Sequence, residues 1–137
     1  MLIFIILHLT AAAHFSIANP IIIYRRLLEL KAVIYNFLDR HPKTLIIYRL
    51  SNYWYGDFRI LQGVTNAYNG RRINQIIKHV FEKDGRVKLI DTWKMTEIVF
   101  EQITNIHPGD VARDMLADYV QRKTQDFWVE LQSSLVQ

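Results

Sequence analysis

Three short apolar runs separated by two long stretches with helical spacing constrain this chain most. The runs are Leu2–Leu9 (LIFIILHL), Lys43–Leu50 (KTLIIYRL) and Arg86–Asp91 (RVKLID). They are rich in Ile, Leu and Val, and each is the length of a strand. Between the first two, Asn19 reads as a helix N-cap and Pro20 as the first helical residue. Ile23, Leu27, Leu30, Ile34 and Phe37 then recur at helical spacing, with Leu38 beside them, and Glu29, Lys31, Asp39 and Arg40 on the wet side. Pro42 ends that helix, because the residue before proline avoids the helical region.

Between the second and third runs, Ile73, Ile76, Ile77, Val80 and Phe81 give the inner face of a helix from about Val64 to Lys83. Asp84-Gly85 stops it. A last helix starts near Pro108 and runs through Val111, Met115, Leu116 and Tyr119 to about Val120. Beyond it, Phe127, Trp128, Leu131 and Leu135 leave residues 121–137 open as a further amphipathic helix or a looser tail. Thr92–Asn105 is a connection of unspecified shape. The order β-α-β-α-β-α predicts an α/β fold: a mostly parallel sheet with helices on both faces. Such sheets bind ligands outside the carboxyl ends of their strands, which directs attention to 11–19, 51–63 and 91–107.

The chain has 137 residues, enough for one domain, and half of them are hydrophobic, so a core can form. A net charge of +4 comes from scattered Lys and Arg with no run of five, which argues against a nucleic-acid tail. No cysteine is present, so disulfides, zinc thiolates and a thiol nucleophile are excluded. No pair of histidines has the i, i+4 spacing of a metal helix and no cofactor motif is present, so neither metal nor cofactor is expected. The apolar start is too short for a membrane span and lacks a basic leader. It reads either as a buried strand or as a signal segment ending near Ala13.

At the expected carboxyl edges the notable residues are His107, directly before a proline and a helix start, and His14 in AAAHF. A helix N-terminus favours the neutral, base-competent imidazole. His107 therefore reads as a base, or as a residue bonded to a loop carbonyl at the start of the helix. Asp91 ends the third run and is one carboxylate that could approach it. Trp54 and Tyr55, with Tyr53 and Phe58, read as a stacking surface for a sugar or base, or as loop packing. Ser16, Ser51, Ser133 and Ser134 stand in no G-x-S-x-G and no G-D-S turn.

The strings AAHFSIANPIIIYRRLLELKAVIYNFLDRHPKTLII, LIDTWKMT and NIHPGDVARDMLADYV occur in that order and spacing. Together they resemble the C-terminal half of the PC-esterase-like domain of the neurexophilin and PC-esterase domain-containing (NXPE) family, a domain similar to SGNH (GDSL-type) hydrolases. The resemblance covers roughly Leu2 to Val120 and favours the strand reading of Leu2–Leu9. It implies a partial three-layer α/β/α domain over 1–120 with a tail at 121–137. It also implies serine-based acyl chemistry on glycans, as esterase or acetyltransferase, and a secretory or extracellular setting.

His107 falls on that family's catalytic histidine, and His14 on its G-x-H-F block, which borders the active site. The carboxylate expected two or three residues before His107 is replaced by Asn105 and Thr104. Alanines stand where the glycine before His14 is expected, and YVQRK stands where that family tends to carry a cysteine. The expected nucleophile turn lies in an early strand that the resemblance does not reach. The chain is thus expected to be a truncated domain, incompetent alone and prone to self-association through an exposed sheet edge. Two alternatives stay open: a piece of a longer, active acyl-transfer enzyme, and a small basic module binding a glycan or acidic ligand through Arg25, Arg26, Arg71 and Arg72.

Overall fold

A computed structural model describes residues 3–7, 19–52, 67–98, 103–104, 107–108 and 110–136. Strand β1 (Ile3–Leu7) leads to helix α1 (Pro20–Arg40), strand β2 (Thr44–Arg49), helix α2 (Ala67–Phe81) and strand β3 (Val87–Ile90). A short helix α3 (Trp93–Ile98), two paired dipeptide strands β4 (Ile103–Thr104) and β5 (His107–Pro108), and a long helix α4 (Asp110–Ser134) complete the order. The three main strands form a parallel sheet in the order β1-β2-β3, with Ile5 opposite Ile46 and Ile46 opposite Val87. This is the α/β architecture that the alternating pattern predicts.

Helix α1 begins and ends where its sequence directs. The Asn19 side chain accepts the Ile21 N–H at 2.9 Å and Pro20 occupies the first turn, so α1 starts with its orphan donors served. It stops at His41, just ahead of Pro42. After α2 the chain reverses through Asp84-Gly85. Gly85 takes a φ of +67°, a backbone region glycine enters without steric cost.

The sheet divides the core into two layers of contact. On one face Ile46, Tyr48, Leu50 and Val87 pack against Ile23, Leu27, Ile34 and Leu38 of α1 and Ile73, Ile77, Val80 and Phe81 of α2. On the other, Leu45, Ile47 and Ile90 meet Tyr119, Val120, Phe127, Trp128 and Leu131 of α4. β2 is buried on both faces, as a central parallel strand requires. The residues after Val120 are helical and continuous with those before it, because Phe127, Trp128 and Leu131 are the cover of the second face.

α4 runs against the strands. Glu130 meets Lys88 near the start of β3 at 2.8 Å, Leu131 and Ser134 line a cavity with Thr44 and Leu45 at the amino end of β2, and the helix also contacts α3, which follows the carboxyl end of β3. The helix has 25 residues, ~37 Å. β2 has six, ~20 Å. The N-terminus of α4, and β5 just before it, therefore lie on the carboxyl side of the sheet.

Candidate site at the carboxyl edge of the sheet

The backbone leaving β2 is held by one side chain from α2. Asn74, 4% exposed, accepts the Ser51 N–H on Oδ1 and donates from Nδ2 to the Ser51 carbonyl, each at 2.9 Å. A buried peptide group at the end of a strand would otherwise lose both partners. Asn74 shares its stripe with Ile77 and Phe81, three and seven residues on. A polar residue on an otherwise apolar helical face is the signal that sequence reading passed over.

The exit of β3 is tied to that of β2. The Thr92 hydroxyl lies 2.8 Å from Asn52 Oδ1 and 3.3 Å from the Leu50 carbonyl. Arg49 Nη2 donates to the same Asn52 oxygen at 2.9 Å. Burial lowers the pKa of the Arg49 guanidinium from its ordinary value. Thr96 turns its hydroxyl back to the Thr92 carbonyl at 2.7 Å. The edge is thus a polar layer that ties the exits of β2 and β3 to each other and closes the first turn of α3.

Asp91 has its two oxygens engaged on this layer. Oδ1 accepts the Trp93 N–H at 3.0 Å, capping α3, and Oδ2 pairs with Lys78 of α2. Sequence reading offered Asp91 as a partner for His107. Its contacts instead point to the α2 face, whereas His107 precedes α4, which covers the opposite face. Beside Asp91 a cleft of about 190 Å³ is lined by Arg71, Asn74, Lys78, Trp93, Lys94 and Glu97. A larger cavity of about 540 Å³ lies at the amino end of the sheet, against Thr44, Leu45, Lys88 and Glu130, away from the edge where such sheets bind ligands.

His107 stands in β5, three residues before α4, and its backbone pairs antiparallel with Thr104 of β4. Asn105, His14, Trp54 and Tyr55 lie outside the described residues. Among the described serines, Ser51 is buried at this edge. Ser133 and Ser134 bond to carbonyls of their own helix at its far end, at 2.9 and 2.7 Å. Among the described residues no three His, Cys, Asp or Glu gather to hold a metal ion, and no helix is long and apolar enough to cross a membrane. Arg71 lines this cleft, and Arg72 lines another cavity with Tyr24, Ile76 and His79.

The chain matches the family described as NXPE family member 4-like, C-terminal domain, over residues 4–120. Neither the curated proteins nor the solved structures hold a match to it. The matched stretch takes in the parallel sheet, the polar edge, the hairpin carrying His107 and the first turns of α4. On that match the chain belongs to the NXPE C-terminal domain family.

Proposed function

We propose that this chain carries the histidine side of a serine-dependent site for acyl-ester hydrolysis or transfer on glycans, and that the 137-residue polypeptide alone does not turn over such esters. The observation that carries the reading is the position of His107. It lies on the carboxyl side of a parallel sheet, at the start of a helix packed firmly on that sheet, where α/β proteins assemble their chemistry. A helix N-terminus favours a neutral imidazole able to take a proton.

The reading of incompetence rests on the nucleophile. None of Ser16, Ser51, Ser133 and Ser134 lies in a nucleophile turn, and of the three described only Ser51 is at the edge, where it is buried. A histidine without its nucleophile leaves only weak residual catalysis. The acid role assigned to Asn105, and ligand roles for His14, Trp54 and Tyr55, belong to the same reading, as does a secretory setting.

Purified Met1–Gln137 is expected to hydrolyse an aryl acetate or an O-acetylated sugar at the buffer rate, with His107→Ala indistinguishable from it. Turnover well above background that His107→Ala abolishes would overturn the incompetence. The intact mass of the native protein separates the two settings. A species near 16.3 kDa supports a non-catalytic role. A heavier one carrying these peptides supports a longer enzyme in which His107 is the base.

A second reading, binding of an acidic ligand, draws on the cleft beside Asp91, where Arg71, Lys78 and Lys94 outnumber Asp91 and Glu97. Binding of a sulfated polysaccharide that weakens steeply with salt and with Arg71→Ala would favour it.

A further inference from the structure

We propose that the groove between the first turns of α1 and the middle of α2 binds a small aromatic carboxylate. The groove holds about 380 Å³, within the ~300–1,000 Å³ of small-ligand sites. Pro20, Ile21 and Tyr24 of α1 form one wall, and Arg72, Ile76 and His79 of α2 the other. Arg72, Ile76 and His79 stand at i, i+4 and i+7, so they make one row along their helix. Ile76 packs on the core behind it, but Ile21 is 60% exposed and Tyr24 36%. The walls are therefore apolar and open to solvent. The groove lies in the α1–α2 layer, whereas His107 precedes α4 on the other face of the sheet. It also shares no charged residue with the cleft beside Asp91, so the proposal rests on neither reading given above.

Charge decides what fits there. Lys31, Lys78, Arg86 and Lys88 each pair with a carboxylate. Arg72, half-buried in the groove, pairs with no described carboxylate, and none lines the groove. A guanidinium presents a planar fork of donors that takes a carboxylate through two parallel N–H bonds. Beside it the rings of Tyr24 and His79 stand 5.9 Å apart and tilted by 45°. Such a tilted pair offers ring faces and edges against which a third ring packs. A ligand that uses both features carries one negative charge on a flat apolar body. An inorganic anion would leave the apolar walls unused, and an amine would meet Arg72 with like charge.

The test is titration of the full chain with 2-naphthoate, followed by amide NMR. Saturable shifts centred on Ile21, Tyr24, Ile76 and His79 are expected, with a Kd of about 1 mM or tighter. The uncharged analogue 2-naphthamide is expected to bind about tenfold more weakly or worse, and so is 2-naphthoate to the Arg72→Gln chain. Ile21→Glu, which sets a carboxylate at the groove mouth, is expected to weaken binding as well. Arg40→Gln removes the same charge at the far end of α1 and is expected to leave the Kd unchanged. Absence of saturable shifts, or shifts centred away from the groove, overturns the proposal. So does equal binding of the amide, which needs no variant to fold, or undiminished binding to Arg72→Gln. Cyclohexanecarboxylate binding as tightly as 2-naphthoate would overturn the aromatic part.

Discussion

Asn74 illustrates how much one side chain decides at the edge of this sheet. Its amide pairs with both the N–H and the carbonyl of Ser51. Removing it takes a buried hydrogen bond from each of these backbone groups, at roughly 1–3 kcal/mol for a group left unmatched. Asn74→Ala is expected to lower stability by about 2–4 kcal/mol, read as a lower urea midpoint with an unchanged slope. A loss below about 0.5 kcal/mol would mean that water replaces the amide. Tyr48 is the opposite case. It is fully buried beside Phe81, burial pushes its hydroxyl pKa up, and that hydroxyl has no hydrogen-bond partner among the described residues. Its ring packs the core while its oxygen contributes nothing visible to it.

At the scale of elements, a latch joins α1 to the turn after α2. The Tyr35 hydroxyl donates to Asp84 Oδ2, Lys31 approaches the same oxygen at 3.5 Å and donates to the Val80 carbonyl at 2.8 Å, and the Arg86 guanidinium lies 4.6 Å from the Tyr35 ring centre. Burial works to raise the Asp84 carboxyl, but the Tyr35 hydroxyl, the Arg86 N–H and the Lys31 ammonium outweigh it and hold it below the usual range. A carboxyl depressed in the folded state contributes stability above its unfolded pKa, ~3.9, and loses that contribution as pH falls through the lower folded value. Asp84→Asn is therefore expected to lose less stability than the unmutated chain between pH 7 and the acid side of pH 4. Urea unfolding at both pH values reads this. Equal losses in the two proteins would show that the latch titrates without consequence.

For the molecule as a whole, the sheet is covered unevenly. The contacts of α4 fall on Leu45, Ile47 and Ile90, so its cover reaches β2 and β3. On β1, Ile5 and Leu7 pack against the α1–α2 layer, while Ile6, facing the other way, is 43% exposed. β1 is also an edge strand, and IFIIL carries no charge or proline to discourage pairing. The chain is expected to associate as its concentration rises, and Ile6→Lys to shift it towards monomer on a sizing column. A wild-type chain that stays monomeric at high micromolar concentration would contradict this.

The sequence by itself determined the order of the three main strands, the two helices between them and the helix after them, and the inner faces of α1 and α2. Those follow from local chemistry: the Asn19-Pro20 start, the stop at Pro42, the turn at Asp84-Gly85 and apolar periods of about 3.6. It also marked His107 as the residue at the start of the last helix, because proline and helix period are read locally. Tertiary structure alone decided the rest. The sequence left 121–137 open, since Phe127, Trp128 and Leu131 become an inner face only once the sheet supplies Leu45, Ile47 and Ile90. It offered Asp91 to His107, but Lys78 and the Trp93 N–H, 13 residues before and two after, engage both oxygens. Contacts between residues far apart in sequence leave no periodic trace, so they became visible only when the sheet brought them together.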